Sequence, residues 1–190
     1  ILLENEEIEN ARHFLNTNDF DVSKKLVIFH PFSSDSLREW GIDKYIDLAK
    51  YLDKVYKCNI LFVGAKNEID RERSRISSQI PRCGFYDDSV GKTAAIINES
   101  SLLIGGESLF AHVSATLNIP TIVIQGPHLK PYLGVHFDDD VQINQNHFFM
   151  FSKELPCRDL LNTGCGSCSN QICFDFSVDE ILQQALKMLN

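Results

Sequence analysis

Short, uniformly apolar runs alternate along this chain with longer stretches whose apolar residues recur at helical spacing. Residues 26–32 (LVIFHPF) form the first run and predict a strand. Beyond it, Tyr45, Leu48, Ala49, Leu52, Val55 and Tyr56 follow the i, i+3, i+4, i+7 pattern of one helix face. Residues 59–65 (NILFVGA) predict a second strand that stops at a glycine, and 68–80 a polar helix. Residues 83–86 predict a short third strand and 92–98 a short helix; a strand at 102–104, a helix at 108–117 and a strand at 121–125 follow. A closing helix over 178–189 is marked by the stripe Val178, Ile181, Leu182, Ala185, Met188 and Leu189, with Ser177 and Glu180 as its capping box. Strands that alternate with helices predict βαβ units, hence an α/β fold with a Rossmann-like parallel sheet flanked by helices.

The two ends depart from this rhythm. Residues 1–25 are acidic and polar, with a helix expected over 4–15, and read as a lead-in or interdomain segment ahead of a domain spanning 26–190. Residues 128–175 show little periodicity. The first residue is Ile1 rather than methionine, which fits a trimmed chain or a piece of a longer one.

Composition narrows the function classes. A net charge of −8 argues against nucleic acid as a partner, because sequence-independent binding rests on basic patches. No apolar run approaches the roughly 18–20 residues of a membrane span, and no signal-peptide pattern stands at the start. A cytoplasmic protein with at most peripheral membrane contact is expected.

The most telling chemistry lies in residues 101–127 (SLLIGGESLFAHVSATLNIPTIVIQGP). A strand that stops at glycines and passes directly into a helix leaves backbone N–H groups unpaired at the helix start. Those donors and the positive dipole end favour a phosphate or diphosphate. In parallel sheets ligands sit outside the carboxyl ends of the strands, so the loops after Phe32, Gly64, Gly105 and Gly126 are expected to share one rim. Two other motifs carry nothing. Gly91-Lys92-Thr93 lies too far from Gly84 to close a P-loop and is expected to open the helix at 92–98. No G-x-G-x-x-G follows the first strand, which weakens a NAD-binding reading.

Cys157, Cys165, Cys168 and Cys173 fall in one short loop, with Cys165 and Cys168 as a C-x-x-C pair. Four thiolates so placed can close a structural zinc or iron site; reduced, solvent-shielded thiols with no metal are the other reading. Cys58 and Cys83 stand alone and read as ordinary buried thiols.

Four stretches resemble the C-terminal, donor-binding domain of glycosyltransferase family 9, the ADP-heptose:lipopolysaccharide heptosyltransferases. IFHPFSSDSLREW (28–40) resembles the family's strand, polar loop and Lys-x-Trp motif, with Arg38 at the lysine position and Trp40 retained. ILFVGAKNEID (60–70) resembles its strand, Gly-Ala turn and following glutamate, Glu68. LLIGGESLFAHVSATLNIPTIVIQG (102–126) resembles its Asp-Ser-Gly-x-x-His helix start and the strand beyond. CFDFSVDEIL (173–182) resembles its closing segment and helix.

The resemblance implies a GT-B architecture of two Rossmann-like domains, of which this chain is the C-terminal half. The acceptor and the catalytic base would then belong to an N-terminal GT-B domain that nothing in this chain matches, so the catalytic residue is not assignable here. It implies transfer of a heptose or related sugar from an ADP-sugar donor to a saccharide acceptor on the lipopolysaccharide core, at the inner face of the inner membrane, with no cofactor required for catalysis. A protein acceptor is an alternative, since relatives that modify autotransporter adhesins resemble this chain in carrying a C-terminal cysteine metal finger. A noncatalytic nucleotide-binding or assembly module is another.

The matching positions carry implied roles. Arg38 would neutralise the diphosphate with its planar fork of donors, or else face solvent as a surface arginine. Ser33 and Ser34 would add hydroxyl donors. Glu68 would accept from ribose hydroxyls, or else serve only as a first-turn helix glutamate. Ser108 and the N–H groups of residues 107–110 would face the diphosphate, and His112, one turn in, is either a ligand contact or a packed helix residue. The family's aspartate is Glu107 here and its next glycine is Leu109. Both departures leave sugar identity open.

Overall fold

The computed structural model describes residues 2–34, 38–126, 146–150 and 172–190. The first strand, β1 (Leu26–His30), leads through α2 (Ile42–Lys54) to β2 (Asn59–Val63), and α3 (Lys66–Gln79) leads on to β3 (Gly84–Tyr86). Helix α1 (Asn5–Thr17) precedes them all. The second half runs α4 (Val90–Asn98), β4 (Leu102–Gly106), α5 (Leu109–Thr116) and β5 (Thr121–Ile124). Strand β6 (His147–Met150), a 3-10 turn (Ile172–Phe174) and α6 (Val178–Leu189) follow.

The strands form one six-stranded sheet in the order β3-β2-β1-β4-β5-β6. Every pairing is parallel, so all carboxyl ends lie along one edge, as the alternation of elements predicts. Because strand side chains alternate between faces, β1 serves two cores. Val27 and Phe29 pack with Tyr45, Ile46, Leu48, Ile69, Ile76 and Ile181, from α2, α3 and α6. Leu26 and Ile28 pack with Ala11, Leu15, Ala95, Ile96 and Val113, from α1, α4 and α5. The result is three layers, helices on both faces of a sheet whose central strands carry no polar side chain until His30.

Several elements differ from the sequence reading. Val55 and Tyr56 lie past the end of α2 and are 55% and 46% exposed, because the chain turns away through Lys57 at φ 58°. Strand β6 falls where no periodicity marks an element: HFFM is too short and too uniformly aromatic to alternate. The helix expected over 4–15 is present as Asn5–Thr17, and it buries Ala11 and Leu15 in the second core. The closing helix carries the expected capping box. Glu180 N–H donates to Ser177 Oγ at 3.2 Å, and Ser177 N–H donates to Glu180 Oε2 at 2.8 Å.

The segment before α6 is tied back to the start of α2. Trp40 Nε1 donates to the Phe176 carbonyl at 3.1 Å, and Lys44 Nζ donates to the carbonyls of Phe174 and Phe176 at 3.0 and 3.2 Å. The Phe174 ring lies where a side chain on Gly126 would stand, only 2.1 Å from an ideal Cβ. The carboxyl end of β5 is thus covered by chain from the far terminus.

Candidate site at the carboxyl edge of the sheet

The connection after β1 enters a helix on one face of the sheet, and the connection after β4 enters a helix on the other. The two strands are neighbours, paired with His30 opposite Gly105. Their diverging loops open a crevice at the point where strand order reverses, the place where open α/β sheets hold ligands.

Glycine is required on the β4 side of that crevice. A Cβ on Gly105 would stand 2.9 Å from the backbone oxygen of His30, and one on Gly106 would meet the Arg38 carbonyl at 3.6 Å. The loop after β1 therefore folds back over the turn that follows β4. Among the described residues, the Arg38 backbone stands beside Gly106 at the end of β4. Arg38 Nη2 donates to Ser34 Oγ at 2.8 Å in an exposed pair. The Ser33 N–H donates to Glu39 Oε1 at 2.9 Å. Arg71 Nη2 reaches the same Glu39 oxygen at 3.7 Å, linking α3 to the loop.

Glu68 stands in the first turn of α3, where its Oε2 accepts from the Ala65 N–H at 2.9 Å. The same oxygen and the Phe32 ring both crowd the space over Gly64, which joins this corner to the β1 loop. His112 lies one turn into α5 and is half-buried. Leu109, at the head of that helix, is 55% exposed and stands outward on the rim.

One residue on this edge escaped the sequence reading. His30 ends β1, is 7% exposed, and its Nδ1 has no hydrogen-bond partner among the described residues. Its ring meets Phe110 of α5 edge-on, with centroids 4.9 Å apart, and Phe32 at 6.2 Å. Burial pulls the imidazole down to about 4, so it is neutral near pH 7. The signal was a single ring nitrogen at the end of an otherwise apolar strand, easily read as part of that strand. Ser108 is the N-cap of α5, yet its Oγ makes no capping bond, and this buried oxygen also has no partner.

The remaining expectations fall elsewhere. Gly91-Lys92-Thr93 sits in the first turn of α4, where Lys92 pairs with Asp88 at 2.9 Å and Thr93 Oγ1 bonds back to the Ser89 carbonyl at 3.0 Å. Cys157, Cys165 and Cys168 lie outside the described residues. Cys173 is 6% exposed within the first core, and among the described residues no three His, Cys, Asp or Glu gather as metal ligands. Cys58 is buried as expected; Cys83 is half-buried, and burial pushes its thiol up to about 11. No helix among the described residues is long and apolar enough to cross a membrane. A cavity of about 270 Å³ lined by Arg12, Leu15, Phe20, Asn59 and Glu99 lies at the amino ends of β1 and β2, the edge opposite the crevice.

A parallel six-stranded sheet wound with helices on both faces defines an α/β domain of the Rossmann-like kind. The chain belongs to glycosyltransferase family 9 (heptosyltransferase), which matches residues 3–159. A putative glycosyltransferase of Haemophilus influenzae is 28% identical over 127 residues, covering 64% of this chain and 36% of that protein. The fold is similar to that of a family 9 glycosyl transferase from Veillonella parvula, with a TM-score of 0.77 at 16% identity over 100% of this chain and 53% of the other. It is also similar to the ADP-heptose lipopolysaccharide heptosyltransferase II of E. coli, with a TM-score of 0.72 at 14% identity and the same coverage. The chain therefore spans about half the length of these solved structures.

Proposed function

We propose that this chain is the C-terminal, donor-binding half of a glycosyltransferase, holding a nucleoside diphosphate sugar in the crevice between β1 and β4. The observation that supports the reading is the approach of the Arg38 backbone to Gly106 at the switch point, with the Arg38 side chain bonded to Ser34 in the same loop. In this reading Arg38 and the first N–H groups of α5 neutralise the diphosphate and the charge that grows on it as the sugar departs. Ser33, Ser34 and Ser108 add donors to phosphate oxygens. Glu68 keeps one oxygen on its helix cap and offers the other to a ribose hydroxyl, with Glu107 and His112 nearer the sugar.

ADP is the nucleotide and a heptose the sugar favoured by family membership, and a lipopolysaccharide core saccharide is the acceptor that goes with them. The base that activates the acceptor belongs to the other half of the GT-B pair.

Calorimetric titration with ADP, UDP and GDP tests the reading. Selective ADP binding is expected, weakened about tenfold or more in Arg38→Ala through loss of a charge-assisted contact. Equal binding of all three by both proteins, or by neither, overturns it.

A further inference from the structure

Two polar atoms at the switch point are buried and, among the described residues, have no hydrogen-bond partner: His30 Nδ1 and Ser108 Oγ. Native interiors rarely leave such atoms unpaired, and where they do, a ligand, ion or water usually completes the set. Their positions are not independent. His30 lies against the first turn of α5 through its edge-on contact with Phe110, and Ser108 is the N-cap residue of that same helix. The imidazole is walled by Phe32 and Phe110, and its backbone is pressed against Gly105, which restricts the ring. A serine at an N-cap ordinarily spends its oxygen on the N–H groups of the first turn. Here it does not, and the buried hydroxyl has no acceptor or donor among the described residues.

We propose that His30 is a further ligand-positioning residue of this site, its Nδ1–H and the Ser108 hydroxyl donating together to one phosphate oxygen of the bound nucleoside diphosphate. This rests on the nucleotide site proposed above. His30 then acts as a neutral donor in an apolar setting, where it fixes the phosphate's place without adding charge, while Arg38 supplies the charge from the rim. The imidazole's low basicity in this setting agrees with that division of labour.

The test uses ADP as the probe and two substitutions that separate packing from hydrogen bonding. His30→Phe keeps an aromatic ring in the Phe32–Phe110 slot and removes the unanswered nitrogen; it should melt at or above the parent temperature yet bind ADP roughly tenfold more weakly. His30→Asn sets an amide near the Nδ1 position and should recover most of the affinity. In the unsubstituted chain, ¹⁵N spectra of labelled histidine should show the His30 Nδ1 resonance moving as ADP saturates. If the parent binds ADP but His30→Phe binds it equally well, the assignment fails and the nucleotide site stands. A parent Nδ1 resonance indifferent to saturating ADP overturns the assignment too, even if His30→Phe does not fold, and points to a buried water between the two atoms. If the parent binds no nucleoside diphosphate, the site reading and this inference fall together.

Discussion

Burial keeps the His30 imidazole uncharged down to about pH 4, whereas the same group in the unfolded chain takes its proton near 6.5. The sign follows directly. Above pH 6.5 both states are neutral and His30 contributes no pH dependence. As pH falls from 6.5 towards 4 the unfolded chain binds a proton that the folded chain refuses, so stability drops, by about 3 kcal/mol at the foot of the window. His147, whose imidazole burial also disfavours charging, adds a slope of the same sign. Thermal melts between pH 7.5 and 4 should show this loss, and His30→Phe should flatten most of it. An unchanged slope in that variant would show that carboxylates, not His30, govern the acid limb. Gly105 gives a second prediction at this scale. Its replacement by alanine sets a methyl group against the His30 carbonyl, a backbone atom that cannot swing aside. Overpacking of that kind costs about 1–3 kcal/mol. Gly105→Ala should melt lower, and because β1 and β4 are pushed apart it should also weaken ADP.

Among the elements, those with a clean period were legible. β-branched runs marked β1, β2, β4 and β5, and the capping box placed α6 to the residue. Ser177→Ala should therefore lower stability by about 1 kcal/mol, read as a shift of the urea midpoint, with Ser177→Asp retaining most of it. What escaped has a common physical cause. Tertiary contact, not local pattern, makes β6 a strand: its four residues are held as such by pairing with β5. The site was legible in part. Glycines followed by a helix announced the β4 turn, while Arg38 and Glu68 entered only through the resemblance and stay proposals. His30 was hidden because its role depends on Phe110, eighty positions away, closing over it. That Arg38 lies over Gly106 likewise follows from strand order and is not written in either segment alone.

At the scale of the whole molecule, the first helix belongs to the core. Leu15 is 9% exposed and packs with Leu26, Ile97 and their neighbours beneath α1. Leu15→Ala should cost about 2–4 kcal/mol, checked by chemical denaturation, as a large-to-small change in a packed layer. If residues 1–25 behaved as a detached lead-in, the cost would be near zero. The far terminus is equally committed, since the closing segment is roped to Trp40 and Lys44 at the end of the loop that bears Arg38.

That rope has a consequence for the order of events when the chain is made. Trp40 donates to a carbonyl 136 residues further along. Trp40 is therefore made well before the segment that receives its hydrogen bond. The sheet can begin to assemble while synthesis continues, because β1, β2 and β4 need only one another. A chain lacking residues 172–190 would keep β1, β2 and β4 but would leave Trp40 and Lys44 without the carbonyls they bind. The start of α2 would then settle only after a segment made more than a hundred residues later had docked.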